Sequence, residues 1–268
     1  MTNYQYVLYE KKDHVAYVTI NRPEVMNALH AAANQELTAV FRDFVADEAA
    51  WVAILTGAGE RAFCAGNDLK ATAEATARGE APLTSRQQQD GEPVYFGGLI
   101  GLHCPKPIIA AVNGVAAGGG FELALACDLI IAAEQARFAL PEPRVGLIAA
   151  AGGMHRLPQQ LPLKIAMGLL LTGKWLSAQE AAHYGLVNEV VPLERLRETA
   201  ERWAAEILEC SPLSVRLTKE SVLAGLGRPI EEAMAADQER LRLLLASEDF
   251  REGPRAFVEK RKPQWKGR

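Results

Sequence analysis

Apolar and polar positions change period several times along the chain, and each change marks an element. Two β-rich runs, Tyr4 to Tyr9 and Val15 to Ile20, flank a charged turn and predict a hairpin. After the loop NRPEVMNAL, Leu37, Val40, Phe41, Phe44 and Val45 recur at spacings of three and four, the mark of one buried helical face. WVAILTG predicts a short strand ending at Gly57, and AGERAFCAGNDLK, rich in small residues, predicts a loop of tight turns. Residues 71–96 are polar and turn-rich, as in an exposed mobile segment or short lid helices. Strand and helix then alternate: KPIIAAVNG reads as strand, GGGFELALA as helix, DLIIAA as strand, and ARFALPEPRVGL as strand followed by a turn. GGMHRLPQQL and PLKIAMGLLLTG read as helical. SAQEAAHYG opens with Ser177 and Glu180 at capping-box spacing and stops at Gly185, and LVNEVV is one more strand. From Leu193 onward the period is almost wholly helical, in LERLRETAERWAAEILE, SVRLTKESVLAGL and IEEAMAADQERLRLLLA.

This order predicts an α/β core over residues 1–195 followed by a helical region over 196–268, with no internal repeat or low-complexity linker visible. With 268 residues and 49% hydrophobic positions the chain can bury a sizeable core. A net charge of -4 gives no basic footprint, which turns expectation from nucleic acid toward small molecules. Cys64, Cys104, Cys127 and Cys210 are scattered without a CxxC pair, as reduced structural thiols are. The N-terminal stretch has no basic segment followed by an apolar one, so the cytoplasm is the expected location. The longest apolar region, Ile108 to Ala133, is broken by Asn113, glycines, Glu122 and Asp128, which argues against a membrane span.

Candidate chemistry concentrates in AAGGGFELALACD. The first N–H groups of a helix lack intrahelical partners and lie at the positive end of its dipole, so they can hold an anion. Glycine admits a ligand oxygen close to the backbone, which makes the Gly119 N–H a candidate oxyanion donor. A second glycine turn, CAGNDL, can present the Asn67 N–H to the same oxygen. Tight packing of helix on strand explains the glycines equally well. A dinucleotide site is a weak reading, because GVAAGGG does not match GxGxxG. Glu122 falls within a turn of Gly119, either as a catalytic carboxylate or as a partner of the helix dipole. Glu142 follows a buried-looking strand between Pro141 and Pro143. Two acids beside an oxyanion site suit proton transfer next to a carbonyl, given apolar walls to raise a pKa; Leu123, Phe138, Leu140 and Leu147 are candidate walls. His155 reads as a structural or surface residue, and Asp128 as a turn or cap residue.

INRPEVMNAL, LTGAGERAFCAGNDLK, KPIIAAVNGVAAGGGFELALACDLIIAAEQARFALPEPRVGL and LLLTGKWLSAQEAAHYGLVNEVV, in that order, resemble the crotonase superfamily, the enoyl-CoA hydratase/isomerase family, over nearly the whole chain. The resemblance implies a spiral of ββα repeats, a C-terminal helical region that packs in trimers, and a homotrimer or a hexamer of two trimers. It implies an acyl-CoA thioester substrate, with coenzyme A carried by the substrate and no further cofactor, metal, nucleic acid or membrane. The thioester oxygen would rest between the N–H groups of Asn67 and Gly119, and Glu122 and Glu142 would be the acid/base pair of a hydratase. Relatives lacking one glutamate isomerise, decarboxylate or hydrolyse; an isomerase, a carnitinyl-CoA-type dehydratase and a non-catalytic acyl-CoA binder are the alternatives. CoA recognition would involve Ala65, Gly66, Asp68, Leu69 and Lys70, with Arg22 and Ala62 near the nucleotide end; Arg22 reads equally as a surface turn residue. The ending SEDFREGPRAFVEKRKPQWKGR is similar to that of carnitinyl-CoA dehydratases, and its basic residues read as a solvated terminus or a contact for CoA phosphates. Ala149 and Ala150 depart from the family pattern at the expected acyl site.

Overall fold

Asp13 and His14 both take positive φ, the geometry of a tight hairpin turn. They join β1 (Val7–Lys12) to β2 (Val15–Ile20), antiparallel with Val7 opposite Ile20. The computed structural model describes residues 4–79, 87–89 and 92–268. Helix α1 (Ala31–Ala46) follows; the His30 ring accepts from the Ala33 N–H at its start, and Leu37, Val40, Phe41 and Phe44 are buried as their spacing predicts. Val45 is half-buried at the edge of that face.

The chain then winds through three turns of strand, strand and helix. The first turn is β3 (Val52–Gly57), β4 (Ala62–Cys64) and α2 (Leu69–Ala77); a small ribbon of β5 (Gln87–Gln89) and β6 (Glu92–Val94) comes after it. The second is β7 (Ile108–Val112), β8 (Val115–Ala117) and α3 (Gly119–Ala126), and the third is β9 (Leu129–Ala133), β10 (Arg137–Ala139) and α4 (Gly153–Gln160). Helix α5 (Leu163–Thr172), β11 (Leu176–Ser177), α6 (Ala178–His183) and β12 (Glu189–Val191) complete the core. The first strand of each turn enters a sheet of order β1-β2-β3-β7-β9-β12, parallel apart from the hairpin. The second strand of each turn enters a sheet of order β11-β10-β8-β4, in which β4, β8 and β10 run parallel. This is the ββα spiral that the family resemblance implies. The repeat escapes sequence self-comparison because aligned positions share only apolarity: Leu55 pairs with Ala110, and Ala110 with Ile130.

Both faces of the larger sheet are covered, as parallel strands require. Leu55, Ala110 and Val112 point into the main core, whereas Ile54, Ile109 and Ile131 pack under α7 (Leu196–Leu208) through its Leu196, Ala200 and Ala204. The helix that opens the region 196–268 therefore belongs to the layer of the core. Beyond it come α8 (Pro212–Gly225), α9 (Ile230–Ala236), α10 (Gln238–Ala246) and α11 (Glu248–Val258). Lys219 of α8 donates to Asp128 Oδ2 at 2.7 Å and to the Lys106 carbonyl at 2.8 Å, fastening α8 to the sheet. Asp128 also accepts from the Ile108 N–H at 2.8 Å, the turn role expected of it.

Three expectations change. AGERAFCAGNDLK is not wholly loop: Ala62–Cys64 forms β4, which like β8 is too short to show a two-residue period. IEEAMAADQERLRLLLA divides into α9 and α10 at Asp237. The polar stretch 71–96 begins inside α2, and its residues 80–86 and 90–91 lie outside the described residues. Among the described residues no helix is long and apolar enough to cross a membrane.

Candidate active site

The glycine run combines close backbone packing with helix amides left open. Gly118 has φ +53, and its N–H donates to the Ala139 carbonyl at 2.9 Å, tying the end of β8 to β10. A Cβ on Gly120 would collide with the Cys64 carbonyl of β4, and one on Gly119 with the Phe96 ring. Helix α3 thus packs against β4 through bare backbone, with its free N-terminal amides at the same spot.

The CAGN turn comes up against that N-terminus. Gly66 has φ +90, and a Cβ there would stand 2.9 Å from Gly119 N and 2.7 Å from the Ala117 carbonyl. Its neighbour Asn67 forms an isolated parallel bridge with Leu29. Among the described residues neither the Asn67 N–H nor the Gly119 N–H finds an acceptor. The two donors named from the sequence therefore belong to adjoining turns, both unspent.

Glu122 lies in the first turn of α3 and is only 3% exposed. Its Oε1 accepts from the Gly153 N–H, the first amide of α4, at 2.8 Å. Burial pushes its pKa up to about 7, and the charge of Glu142 acts in the same direction, against the amides of Gly153 and Ala151 and the guanidinium of Arg156. Glu142 opens the short 3-10 turn Glu142–Val145, which Pro141 and Pro143 hold in place. A Cβ on Gly118 would lie 3.0 Å from its Oε1, so this carboxylate stands beside the start of α3. Burial raises its pKa as well, and its Oε2 is enclosed without a partner among the described residues. Two carboxylates whose pKa values are raised and two unspent amides can together hold an oxyanion and move protons on either side of it.

The expected CoA contacts divide. Ala65 and Gly66 shape the turn, and Leu69 and Lys70 are exposed at the start of α2. Asp68 caps α2, its Oδ1 accepting from the Ala71 N–H at 3.1 Å. Arg22 is not a surface turn residue: its Nη1 donates to Asp68 Oδ2 at 3.0 Å and to the Ala28 carbonyl. Ala62 lies in β4, its side chain buried and its carbonyl accepting from Asn27 and Asn113. Leu123, Phe138 and Leu140 are fully buried core residues, but Leu147 is 54% exposed, on the rim with Val145 and Ile148. His155 is exposed, and Ala149 is buried beside Gly153. The basic ending is no free terminus: the Lys266 N–H donates to Asp249 Oδ1, and Trp265 Nε1 donates to the Glu209 carbonyl.

Sequence reasoning passed over the amide of Gly153 that holds Glu122. GG at 152–153 before a helical pattern carries the same signal that singled out Gly119. Asn27 and Asn113 were also missed; they stitch Ala58, Gly57, Gly59 and Ala62 together, and only the folded chain brings these segments into one place.

Residues 10–268 match the family model described as enoyl-CoA hydratase/isomerase. The chain is 41% identical over 261 residues to an (E)-benzylidenesuccinyl-CoA hydratase of Thauera aromatica, covering 97% of this chain and 99% of the relative. It is 44% identical over 259 residues to a carnitinyl-CoA dehydratase of Proteus mirabilis, covering 95% of each. It superposes on the crystal structure of an enoyl-CoA hydratase from Mycobacterium tuberculosis with a TM-score of 0.88 at 39% identity, covering 98% of this chain and 99% of the other. With the spiral, the glycine-flanked amides and both glutamates present, this chain belongs to the enoyl-CoA hydratase/isomerase family.

Proposed function

We propose that the protein adds water across the double bond of a 2-enoyl-CoA thioester, or removes it in the reverse direction. The observation that carries this reading is the buried Glu122 carboxylate with the half-buried Glu142 carboxylate, both with raised pKa, beside two amides that have no acceptor among the described residues. The thioester oxygen accepts from the N–H groups of Asn67 and Gly119. Glu122, oriented by the Gly153 amide, takes a proton from water as the oxygen attacks the β-carbon, and Glu142 gives a proton to the α-carbon. Negative charge collects on the thioester oxygen in between, where the two amides and the α3 dipole meet it.

Only the singly protonated carboxyl pair contains both a base and an acid, so the pair is treated as one titrating unit. In the unliganded chain burial favours the proton on Glu122. Substrate seated over the half-open side of Glu142 desolvates that carboxyl in turn and draws the proton to it. A bell-shaped kcat/KM profile follows.

The test is Glu142→Gln assayed with crotonyl-CoA and, separately, with a 3-enoyl-CoA, following the conjugated thioester absorbance. Loss of turnover by a factor of about a thousand or more with retained CoA-ester binding supports the reading. Near-normal hydration by that variant overturns it, and conversion of the 3-enoyl-CoA alone by the wild type points to isomerisation. The dehydratase and hydratase relatives direct the choice of acyl groups: short, branched, aromatic and carnitinyl thioesters form the panel. A homotrimer, or two of them, fits the exposed Leu223, Ile230, Met234 and Leu243 on α8 to α10, and light scattering of the purified protein tests it.

A further inference from the structure

Arg22 and Asp68 meet across two separate turns of the fold, next to the proposed oxyanion donor. Nη1 of Arg22 reaches Asp68 Oδ2 at 3.0 Å, and the two side chains are only 11% and 14% exposed. The same nitrogen donates to the Ala28 carbonyl, and the guanidinium lies over the Tyr6 ring, 5.7 Å from its centroid. Nε is enclosed and has no partner among the described residues. A guanidinium held in this way is not presented to a phosphate in solution.

The pair acts on the short segment that carries Asn67. Leu29 donates to the Gly66 carbonyl at 2.8 Å and accepts from the Asp68 N–H at 2.9 Å. Successive peptide groups of an extended segment point to opposite sides, so these two bonds turn the Asn67 N–H away from Leu29. The Ala65 N–H donates to the Met26 carbonyl at 3.0 Å and ties the near end of the segment. Asp68 ties the far end: Oδ1 takes the Ala71 N–H and starts α2, while Oδ2 takes Arg22. On the Asn67 side chain, Nδ2 donates to Thr72 Oγ1 at 3.0 Å, which ties the same residue to the first turn of α2.

We propose that Arg22 and Asp68 are positioning residues that aim the Asn67 N–H at the thioester oxygen, and that Arg22 does not contact the nucleotide end of coenzyme A. The proposal rests on the hydratase reading of the site. An oxyanion donor contributes in proportion to its alignment with the position the charged oxygen takes, and loss of a whole donor costs about a hundredfold to a thousandfold in kcat. Loss of alignment is worth on the order of tenfold to a hundredfold.

The experiment uses full-length protein carrying Arg22→Met, Arg22→Lys or Asp68→Asn. Each is measured for its Kd toward free coenzyme A, for kcat and KM with crotonyl-CoA, and for the fraction of bound acetoacetyl-CoA held as its enolate, read by difference absorbance. The enolate reports pull on the thioester oxygen directly. The expected result is a fall in kcat of about tenfold to a hundredfold, a parallel fall in enolate fraction, and a coenzyme A Kd within about twofold of wild type, with Arg22→Lys intermediate. Weakened coenzyme A binding with an unchanged enolate fraction overturns the proposal in favour of a direct contact, and unchanged kcat overturns it outright. Asp68→Asn keeps the cap acceptor and the side-chain shape, so it supplies the answer if Arg22→Met does not fold. A wild-type protein that neither hydrates crotonyl-CoA nor forms the enolate overturns the hydratase reading and this proposal with it; active wild type with unaffected variants overturns the proposal alone.

Discussion

Burying Glu122 costs the folded chain stability that a neutral side chain of the same shape would not cost. Its pKa stands at about 7 in the fold against an ordinary value of 4.5, so between those two pH values the folded chain keeps a proton that the unfolded chain has released. Stability therefore falls as pH rises through that window, by an amount on the order of 3 kcal/mol once the pH is above both values. Glu122→Gln removes the titration while its amide oxygen can still accept from the Gly153 N–H. The variant is expected to be inactive and to melt at a higher temperature than wild type at pH 8, with the gap closing toward pH 4.5. Calorimetric scans at the two pH values check this, and a constant difference across the range rules out the buried charge as its source. Glu122 was legible as a candidate because a first-turn acid next to a glycine run is a sequence pattern. The Gly153 amide carries a similar glycine signal, but its bond to Glu122 was not legible, because that contact joins two turns of the spiral.

Helix α3 joins structure to chemistry, since the close approach to β4 that fixes its position also leaves its first amides open. Gly120 is where this contact is tightest: a methyl there meets the Cys64 carbonyl, which is backbone and cannot swing aside. Gly120→Ala is expected to force α3 away from β4, to lose about 2 kcal/mol or more of stability, and to lose activity with it. Ser177→Ala, which breaks the capping box of α6 away from the site, is expected to cost about 1 kcal/mol and leave kcat unchanged. Denaturant melts and crotonyl-CoA turnover of the two variants separate the cases; equal losses of kcat would show that α3 has no special part in catalysis. The elements themselves were read from sequence unevenly. Strands β3, β7 and β9 are long enough to show as apolar runs, and the capping box marks α6. Strands β4 and β8, three residues each, were hidden in stretches rich in Gly and Ala. The second sheet, and with it the reason that the two glycine turns touch, was therefore invisible before folding.

At the scale of the molecule, the core and the C-terminal helices are held by different forces. The sheets bury large apolar side chains on both faces, whereas the last helices carry exposed Leu, Ile and Met and are fastened by a few polar contacts. Asp249 of α11 is the densest of these anchors. It is 2% exposed, takes the Ser211 hydroxyl of the α8 cap at 2.7 Å and the Lys266 N–H at 2.7 Å, and takes the Gly267 N–H at 3.1 Å on each oxygen. The Gly267 carbonyl accepts from Arg216 of α8 at 2.6 Å, closing a loop of bonds between α8, α11 and the chain end. Replacing Asp249 by Ala leaves a buried hydroxyl and two backbone amides without their acceptor, a loss of about 2 to 4 kcal/mol concentrated in this region. The candidate active-site residues Asn67, Gly119, Glu122 and Glu142 lie in the spiral and do not share these bonds. Asp249→Ala is therefore expected to expose the basic ending to trypsin, which cuts at its Lys and Arg, before the core opens. Where α8 to α10 form the contact between copies, the same variant shifts the protein toward smaller assemblies in light scattering. Cleavage that starts in the core at the same rate as in the tail would show that the two regions unfold as one unit, and that the chain end is no separate clasp.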